Sequence, residues 1–270
     1  MSKVQTSEKL VEKRNRVRVV SLLPDVVNHK NAVKKIADLA ARSDGSYVCF
    51  STVHMIMESH DNAEYGAKVN GADYIITDGM PLVWMQKLQG ANDAARVRAN
   101  DLMILLCEYA AANNLSVGFY GGQQKVIDAM LERARKELPD LKIAYAFSPP
   151  FRALDETEEA EIIAEINNKK PDLLFVGLGC PKQENWMAKN KGKVKSVMLG
   201  VGASFDFYAG NVKESPEWLG KIGLEWLYRL TQEPKRLWKR YLILNPRFMF
   251  LALLQLSGLK KLDKSTNEGA

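Results

Sequence analysis

Little in this chain suits metal or redox chemistry. Three cysteines, Cys49, Cys107 and Cys180, are scattered along 270 residues without a CxxC pair. That pattern argues against a disulfide framework or a zinc site and for a reducing compartment. Histidine is as sparse, with His29, His54 and His60 only, and no HExxH occurs. There is no Asp-x-Asp, the short acidic pair that would hold Mg²⁺ against a diphosphate. No metal and no cofactor is therefore expected. GxxxxGK[ST], GxSxG and GxGxxG are also missing, so a P-loop, a nucleophile elbow and a redox dinucleotide fold all fit poorly. The N-terminus, Met1 to Arg18, is polar and basic and lacks the apolar core of a signal peptide. The apolar run Phe248 to Leu256 is too short to cross a bilayer, which takes about 20 apolar residues. A chain made and kept in the cytoplasm is the expectation.

What is present is an alternation of short apolar runs with helical periods. Strands are predicted at Val17–Leu23, Tyr47–Thr52, Tyr74–Thr77, Ser116–Tyr120, Lys142–Phe147, Asp172–Val176 and Ser196–Val201. Helical patterns fill the intervals, among them residues 31–42, 58–70, 82–89, 102–112, 126–138 and 156–168. Such alternation means an α/β fold, a Rossmann-like parallel sheet with helices on both faces. Ligands in these folds sit beyond the C-terminal ends of the strands. Those ends carry Thr52, Asp78, Gly121-Gly122, Ser148, Gly179 to Gln183 and Gly202 to Asp206.

The chain changes character after residue 210. Residues 211–270 hold 11 Lys and Arg against 6 Asp and Glu, whereas residues 1–210 hold 27 against 26. Pro216 to Leu230 reads as one amphipathic helix, and Pro234 suits the first turn of another. Asn245-Pro246-Arg247 is expected to block the apolar run behind it from extending upstream. Basic residues interleaved with Trp, Tyr and Phe suit an element lying in a membrane interface better than one binding nucleic acid. A helix pair packed on the core with a solvated basic face is the plainer alternative. The expected organisation is a lead-in over residues 1–15, an α/β catalytic domain over 16–210, a basic amphipathic appendage over 211–262 and a loose tail over 263–270.

Among residues fit for chemistry, Asp78 ends a strand and could take a proton from a hydroxyl. It could equally cap the helix that starts near Pro81. Thr52 could bind substrate or only satisfy a strand end. Gly177-Leu-Gly-Cys-Pro-Lys-Gln-Glu-Asn-Trp186 presents Lys182, Gln183 and Glu184 at a helix N-terminus, a place that favours anions. A diphosphate leaving without a metal would need Arg or Lys, and Arg96, Lys182 and the cluster from Arg236 to Arg240 could serve.

Several blocks in order carry a family resemblance. They are Thr77-Asp-Gly-Met-Pro81, Arg96-Val-x-x-x-Asp101-Leu102, Tyr120-Gly-Gly122, Ser148-Pro-Pro-Phe-Arg152 and the Gly177–Trp186 stretch. Gly200-Val-Gly-x-Ser-Phe-Asp206-Phe-Tyr-Ala-Gly210 and Gly223-Leu-Glu-Trp-Leu-Tyr-Arg229-Leu-x-x-Glu-Pro234 complete the series. Together they resemble the WecG/TagA/CpsF family of glycosyltransferases over residues 17–250. The resemblance implies an inverting, metal-independent hexosyltransferase that moves a sugar from a UDP-sugar donor to a polyprenyl-diphosphate-linked sugar acceptor. It implies a peripheral place on the inner face of the cell membrane, an anionic membrane surface as partner, and a role in surface polysaccharide synthesis; it allows a homo-oligomer. By motif position Asp78 would be the general base, with Thr52, Gln183 and Arg96 at the substrate. Asp101, Gly121, Gly122, Gly179, Lys182 and Asp206 fall in the same blocks and would line the site. The basic appendage would bring Arg229, Arg236, Lys239 and Arg240 over it.

Two positions depart from the family pattern. His54 stands where many members have Asn, and Ala99-Asn100 where many have Gly. His54 would then be a sugar contact, an additional base or a packed polar residue. The competing expectation is a non-catalytic nucleotide-binding or regulatory protein on the same Rossmann-like fold.

Overall fold

A computed structural model of the chain describes residues 14–259. The expected tail lies outside them, as does the lead-in except Arg14 and Asn15. Those two are tied down: the Arg14 guanidinium pairs with Asp25, and the Asn15 carbonyl accepts from the Val26 N–H at 2.8 Å.

The core is a six-stranded sheet of β1 (Tyr47–Ser51), β2 (Tyr74–Thr77), β3 (Ser116–Gly121), β4 (Lys142–Phe147), β5 (Leu173–Gly177) and β6 (Val197–Gly200). All neighbours pair parallel, in the order β2-β1-β6-β5-β3-β4. The central strands are apolar along their length because helices cover both faces. Phe50, Phe119, Phe175 and Leu199 point to one face, under α1 (His29–Ala40), α5 (Ala99–Ala112), α6 (Gln124–Glu137) and α9 (Ser204–Tyr208). Cys49, Tyr120, Leu174 and Met198 point to the other. That face is covered by α2 (Val53–Asp61), α3 (Ala63–Asn70), α4 (Met80–Leu88), α7 (Glu156–Lys169) and α8 (Lys182–Lys189). This is the Rossmann-like α/β fold that the strand–helix alternation predicts.

Local chemistry sets the helix starts. Asn28 and Asn31 exchange side-chain-to-backbone bonds at 3.0 and 2.8 Å to open α1, and Asp155 with Glu158 does the same for α7. The single helix expected over 58–70 is two, because Asn62 ends α2 and its side chain caps α3.

Three other expectations fail. Val17–Leu23 is not a strand of the sheet. Val19 and Leu22 bond to each other's backbone around a tight turn, with Val20 at φ 54°, so the segment folds on itself and buries Val19, Val20 and Leu22 against the sheet's second face. The helix expected over Pro216–Leu230 is broken into α10 (Glu217–Lys221) and α11 (Glu225–Gln232). Gly223 makes the break, at φ +76°, where a Cβ would lie 2.8 Å from the Trp84 ring. Finally, Pro246 does not stop the last helix. After α12 (Pro234–Leu242), α13 runs from Leu244 to Leu256 and holds Pro246 in its first turn, where a missing N–H costs nothing.

The C-terminal helices lean back on the body. Phe248 and Ala252 of α13 are buried in the second-face cluster, and the Gln255 side chain bonds the backbone at Arg18 and Val20. No helix among the described residues is long and apolar enough to cross a membrane.

Candidate active site

A cavity of about 310 Å³ opens beyond the C-terminal ends of β1, β2, β5 and β6, roofed by α11 and α12. Its floor is body and its roof is C-terminal helix. Thr52, His54, Asp78, Arg96, Gly179 and Gln183 line it from below, and Arg229, Arg236 and Arg240 from above.

Asp78 follows β2. It does not cap α4, whose N-cap is Gly79 without a side-chain bond. Instead one carboxylate oxygen accepts from the Ala99 N–H at 3.1 Å, at the start of α5. The other lies 3.5 Å from the Arg96 guanidinium. Arg96 is itself held by its Nε donating to the Asp78 carbonyl at 2.7 Å and by Glu225 at 2.8 Å. Burial pushes the Asp78 carboxyl up to about 6; Arg96 and the Ala99 N–H pull against it, Glu225 adds to the rise and Arg98 opposes it. A carboxylate with that proton affinity, at the edge of a cavity, is suited to take a proton near neutral pH.

Thr52 does two jobs. Its hydroxyl accepts from the Met55 N–H at 3.5 Å to cap α2, and Arg240 donates to the same oxygen at 3.3 Å. His54 is held neutral, its pKa brought down to about 4 by burial and then by Arg240. Its Nε2 lies 3.3 Å from Glu58, and its buried Nδ1 has no partner among the described residues. With Nε2 facing the Glu58 carboxylate, Nδ1 of the neutral ring is an acceptor.

The arginines differ in what holds them. Arg229 lies 3.6 Å from Glu233 and stacks over Phe207 at 5.2 Å, while its Nε is buried without a partner. Arg236 also pairs with Glu233. No carboxylate among the described residues pairs with Arg240, whose pKa burial lowers. A desolvated guanidinium without a counter-charge, beside two more, makes an anion site.

Gln183 is buried and its amide is already engaged. The oxygen accepts from the Gly179 N–H at 3.1 Å, and the nitrogen donates to the Gly200 carbonyl at 2.8 Å and to Glu184 at 2.7 Å. It ties the β5 turn to β6 at the cavity floor. Glu184, in the first turn of α8, is buried beside it and accepts from the Tyr65 hydroxyl at 3.1 Å.

Six residues expected at the site lie outside the cavity lining. Asp101 pairs with Arg98 at 3.2 Å on the flank of α5. Gly121 and Gly122 are structural neighbours of β5: at φ +118°, a Cβ on Gly121 would sit 2.6 Å from Gly177. Lys182 is exposed, because the first turn of α8 aims Gln183 inward and Lys182 out. Asp206 sits in short helix α9 behind the rim. Lys239 is exposed over the Trp238 ring at 5.5 Å.

Among the lining residues not named as site residues from the sequence are Arg98, Glu225 and Trp226. Glu225 bridges Arg96 and, at 3.7 Å, Arg98. Its only sequence signal is a place in the Gly223–Pro234 block. Among the described residues no group of three or more His, Cys, Asp or Glu could hold a metal ion.

A strand-end carboxylate facing a cluster of arginines, at the rim of a Rossmann-like sheet, has the chemistry to meet an anion and to take a proton. The family model described as "Glycosyl transferase WecG/TagA/CpsF family" matches residues 17–262. A protein of Bacillus spizizenii is 33% identical over 213 residues, covering 78% of this chain and 80% of its own. One of Bacillus subtilis is 33% identical, covering 70% and 72%, and one of Staphylococcus aureus 30% identical, covering 67% and 69%. All three are named N-acetylglucosaminyldiphosphoundecaprenol N-acetyl-beta-D-mannosaminyltransferase. The chain belongs to the WecG/TagA/CpsF family and is a glycosyltransferase.

Proposed function

We propose that this enzyme moves a hexose from a UDP-sugar to a sugar carried on a polyprenyl diphosphate, with inversion and without a metal, in cell-surface polysaccharide synthesis. The reading rests above all on one observation: Asp78 and the three arginines of α11 and α12 line one cavity, and Arg240 has no carboxylate partner among the described residues. The relatives' names supply the acceptor class, an undecaprenyl-diphosphate-linked sugar, and one candidate donor, N-acetylmannosamine.

In the proposed step an acceptor hydroxyl oxygen attacks the anomeric carbon from the face opposite the diphosphate. The new carbon–oxygen bond forms as the bond to the diphosphate oxygen breaks, and UDP leaves with the electron pair. Asp78 takes the hydroxyl proton. Arg229, Arg236 and Arg240 meet the charge growing on the diphosphate, the task a metal performs elsewhere. Thr52 holds Arg240 in place, and His54 offers its unpartnered Nδ1 to a sugar hydroxyl.

The lipid acceptor gives the exposed apolar side chains of the C-terminal helices a use. Trp218, Ile222, Trp238, Leu242, Phe250 and Leu253 are all exposed, among the exposed cations Lys235, Arg236 and Lys239. We infer that this surface lies in the interface of an anionic membrane, on the cytoplasmic face where the nucleotide donor is found.

The test is transfer from a panel of UDP-sugars to a polyprenyl-diphosphate-linked sugar, in EDTA. Wild type should turn over at least one donor, and Asp78→Asn should lose about 10²–10⁴-fold in rate. Full activity in Asp78→Asn would overturn the base assignment. Nucleotide binding without turnover of any donor would favour the regulatory reading.

A further inference from the structure

The Arg96 guanidinium sits between two carboxylates. Its Nε is committed to the Asp78 backbone carbonyl at 2.7 Å, which pins the head group beside the Asp78 side chain. One terminal nitrogen is shared between two carboxylates, close to Glu225 at 2.8 Å and in a longer ion pair with Asp78 at 3.5 Å. Glu225 belongs to α11, 147 positions along the chain from Asp78 and on the opposite wall of the cavity. It is well shielded, with its side chain at 16% exposure, and it also approaches Arg98 at 3.7 Å. Arg98 has further carboxylates of its own, Asp101 at 3.2 Å and Glu214 at 3.0 Å. Of the two guanidiniums, Arg96 is therefore the one free to move onto Asp78 when Glu225 is removed.

We propose that Glu225 is a positioning residue: it takes up the Arg96 guanidinium and keeps it off the Asp78 carboxylate, leaving the base an oxygen for the acceptor's proton. The consequence for catalysis rests on Asp78 being the base; the hold on Arg96 does not. An aspartate paired closely with arginine loses proton affinity, by about 1–3 pH units in typical cases. Tightening the 3.5 Å Arg96–Asp78 pair to a direct hydrogen bond would thus occupy the oxygen and weaken the base together. The burial that raises the Asp78 carboxyl is reinforced by Glu225 and opposed by Arg96 and Arg98, in keeping with this arrangement. Since Glu225 is supplied by a C-terminal helix, the helices that bring the anion-binding arginines also keep the base available.

The other charged groups facing Asp78 across the cavity are Arg229, Arg236 and Arg240, with His54 neutral. None of them is altered by a change at Glu225. Arg98 also approaches Glu225 and also opposes the Asp78 rise, so a shift between variants reports Glu225 with both arginines, and removing Arg96 isolates its share.

The experiment follows the Asp78 carboxyl by ¹³C NMR in the full-length protein, and the pH dependence of transfer in parallel. Glu225→Ala should lower the Asp78 midpoint by about one unit or more. Glu225→Gln keeps an acceptor for Arg96 but no charge, and should shift it less. Adding Arg96→Ala to Glu225→Ala should bring the midpoint back up, which a general loss of structure would not do. The acid limb of the rate profile should move down with the midpoint while the plateau falls, as expected for a weaker base. The same Asp78 midpoint in wild type and Glu225→Ala overturns the proposal. A lowered midpoint with an unmoved acid limb supports the hold on Arg96 and overturns Asp78 as the base.

Discussion

The α/β body and the C-terminal helices solve the burial problem in opposite ways. The body hides its apolar side chains in itself. Phe119 stacks on Phe175 with ring centroids 5.6 Å apart and meets Phe205 edge-on at 5.8 Å under closed helical layers, and β1, β6, β5 and β3 are each paired on both sides, so the centre of the sheet has no edge. The C-terminal helices bury few residues. None of α11 is buried, and α12 buries only Leu237 and Tyr241. Many of their large apolar side chains, Trp238, Leu242 and Phe250 among them, are exposed in segments that also carry exposed lysine or arginine. A body of that kind supplies a rigid floor; helices of this kind find partners elsewhere, in substrate on one side and in lipid on the other.

The contrast can be broken by truncating one phenylalanine from each region. Phe175→Ala, in the body, should cost about 3–5 kcal/mol by denaturant unfolding. Phe250→Ala, 62% exposed on α13, should leave unfolding unchanged and weaken binding to anionic vesicles. Equal effects on stability would erase the distinction drawn between the two regions.

Asp78 marks where the body gives up stability for the site. Its carboxyl is raised from 3.8 to about 6, so the folded chain holds the proton more tightly than the unfolded one. That contribution to stability is full below about pH 4 and is lost as pH rises through about 6. At pH 8 Asp78→Asn removes the cost of the buried charge and should stabilise the fold, by on the order of 2 kcal/mol. Below pH 4 the gain should vanish. A destabilised Asn variant at pH 8 would show that the charge is compensated.

The smallest effect belongs to single surface cations of the C-terminal helices. Lys235→Gln should weaken binding to anionic vesicles by about 1 kcal/mol at low salt, and by less at high salt. Binding indifferent to salt would leave the apolar side chains alone responsible.

The fold was legible where a run of residues had one job. The strands from Tyr47 to Gly200 are apolar because both faces are covered, and their glycine- and proline-bearing ends mark the rim. Val17–Leu23 misled because its valines and leucines are buried around a turn rather than along a ladder. Asp78, Thr52, His54, Arg96 and the arginines of α11 and α12, expected from strand ends, family blocks and the basic appendage, all line the one cavity. The details needed three dimensions. That the Asp78 carboxylate reaches α5 instead of capping α4, and that the Gln183 amide is spent on Gly179, Gly200 and Glu184, depends on which backbone groups lie near. Lys182 and Gln183 are neighbours in sequence, yet helix rotation sends one out and the other in. Glu225 was hidden for a stronger reason. Its partners Arg96 and Arg98 lie in another region of the chain, and on its own helix it looks like any glutamate in a first turn.

The central claim is that the C-terminal helices complete the catalytic site as well as meeting the membrane. The most direct measurement is the transfer rate of Arg240→Ala on a short-chain, water-soluble diphosphate-linked acceptor, with no bilayer present. A fall of about 10²–10³-fold is expected, the scale of losing one fixed donor to a developing charge. A wild-type rate under those conditions would contradict it and leave Arg240 a role in attachment alone.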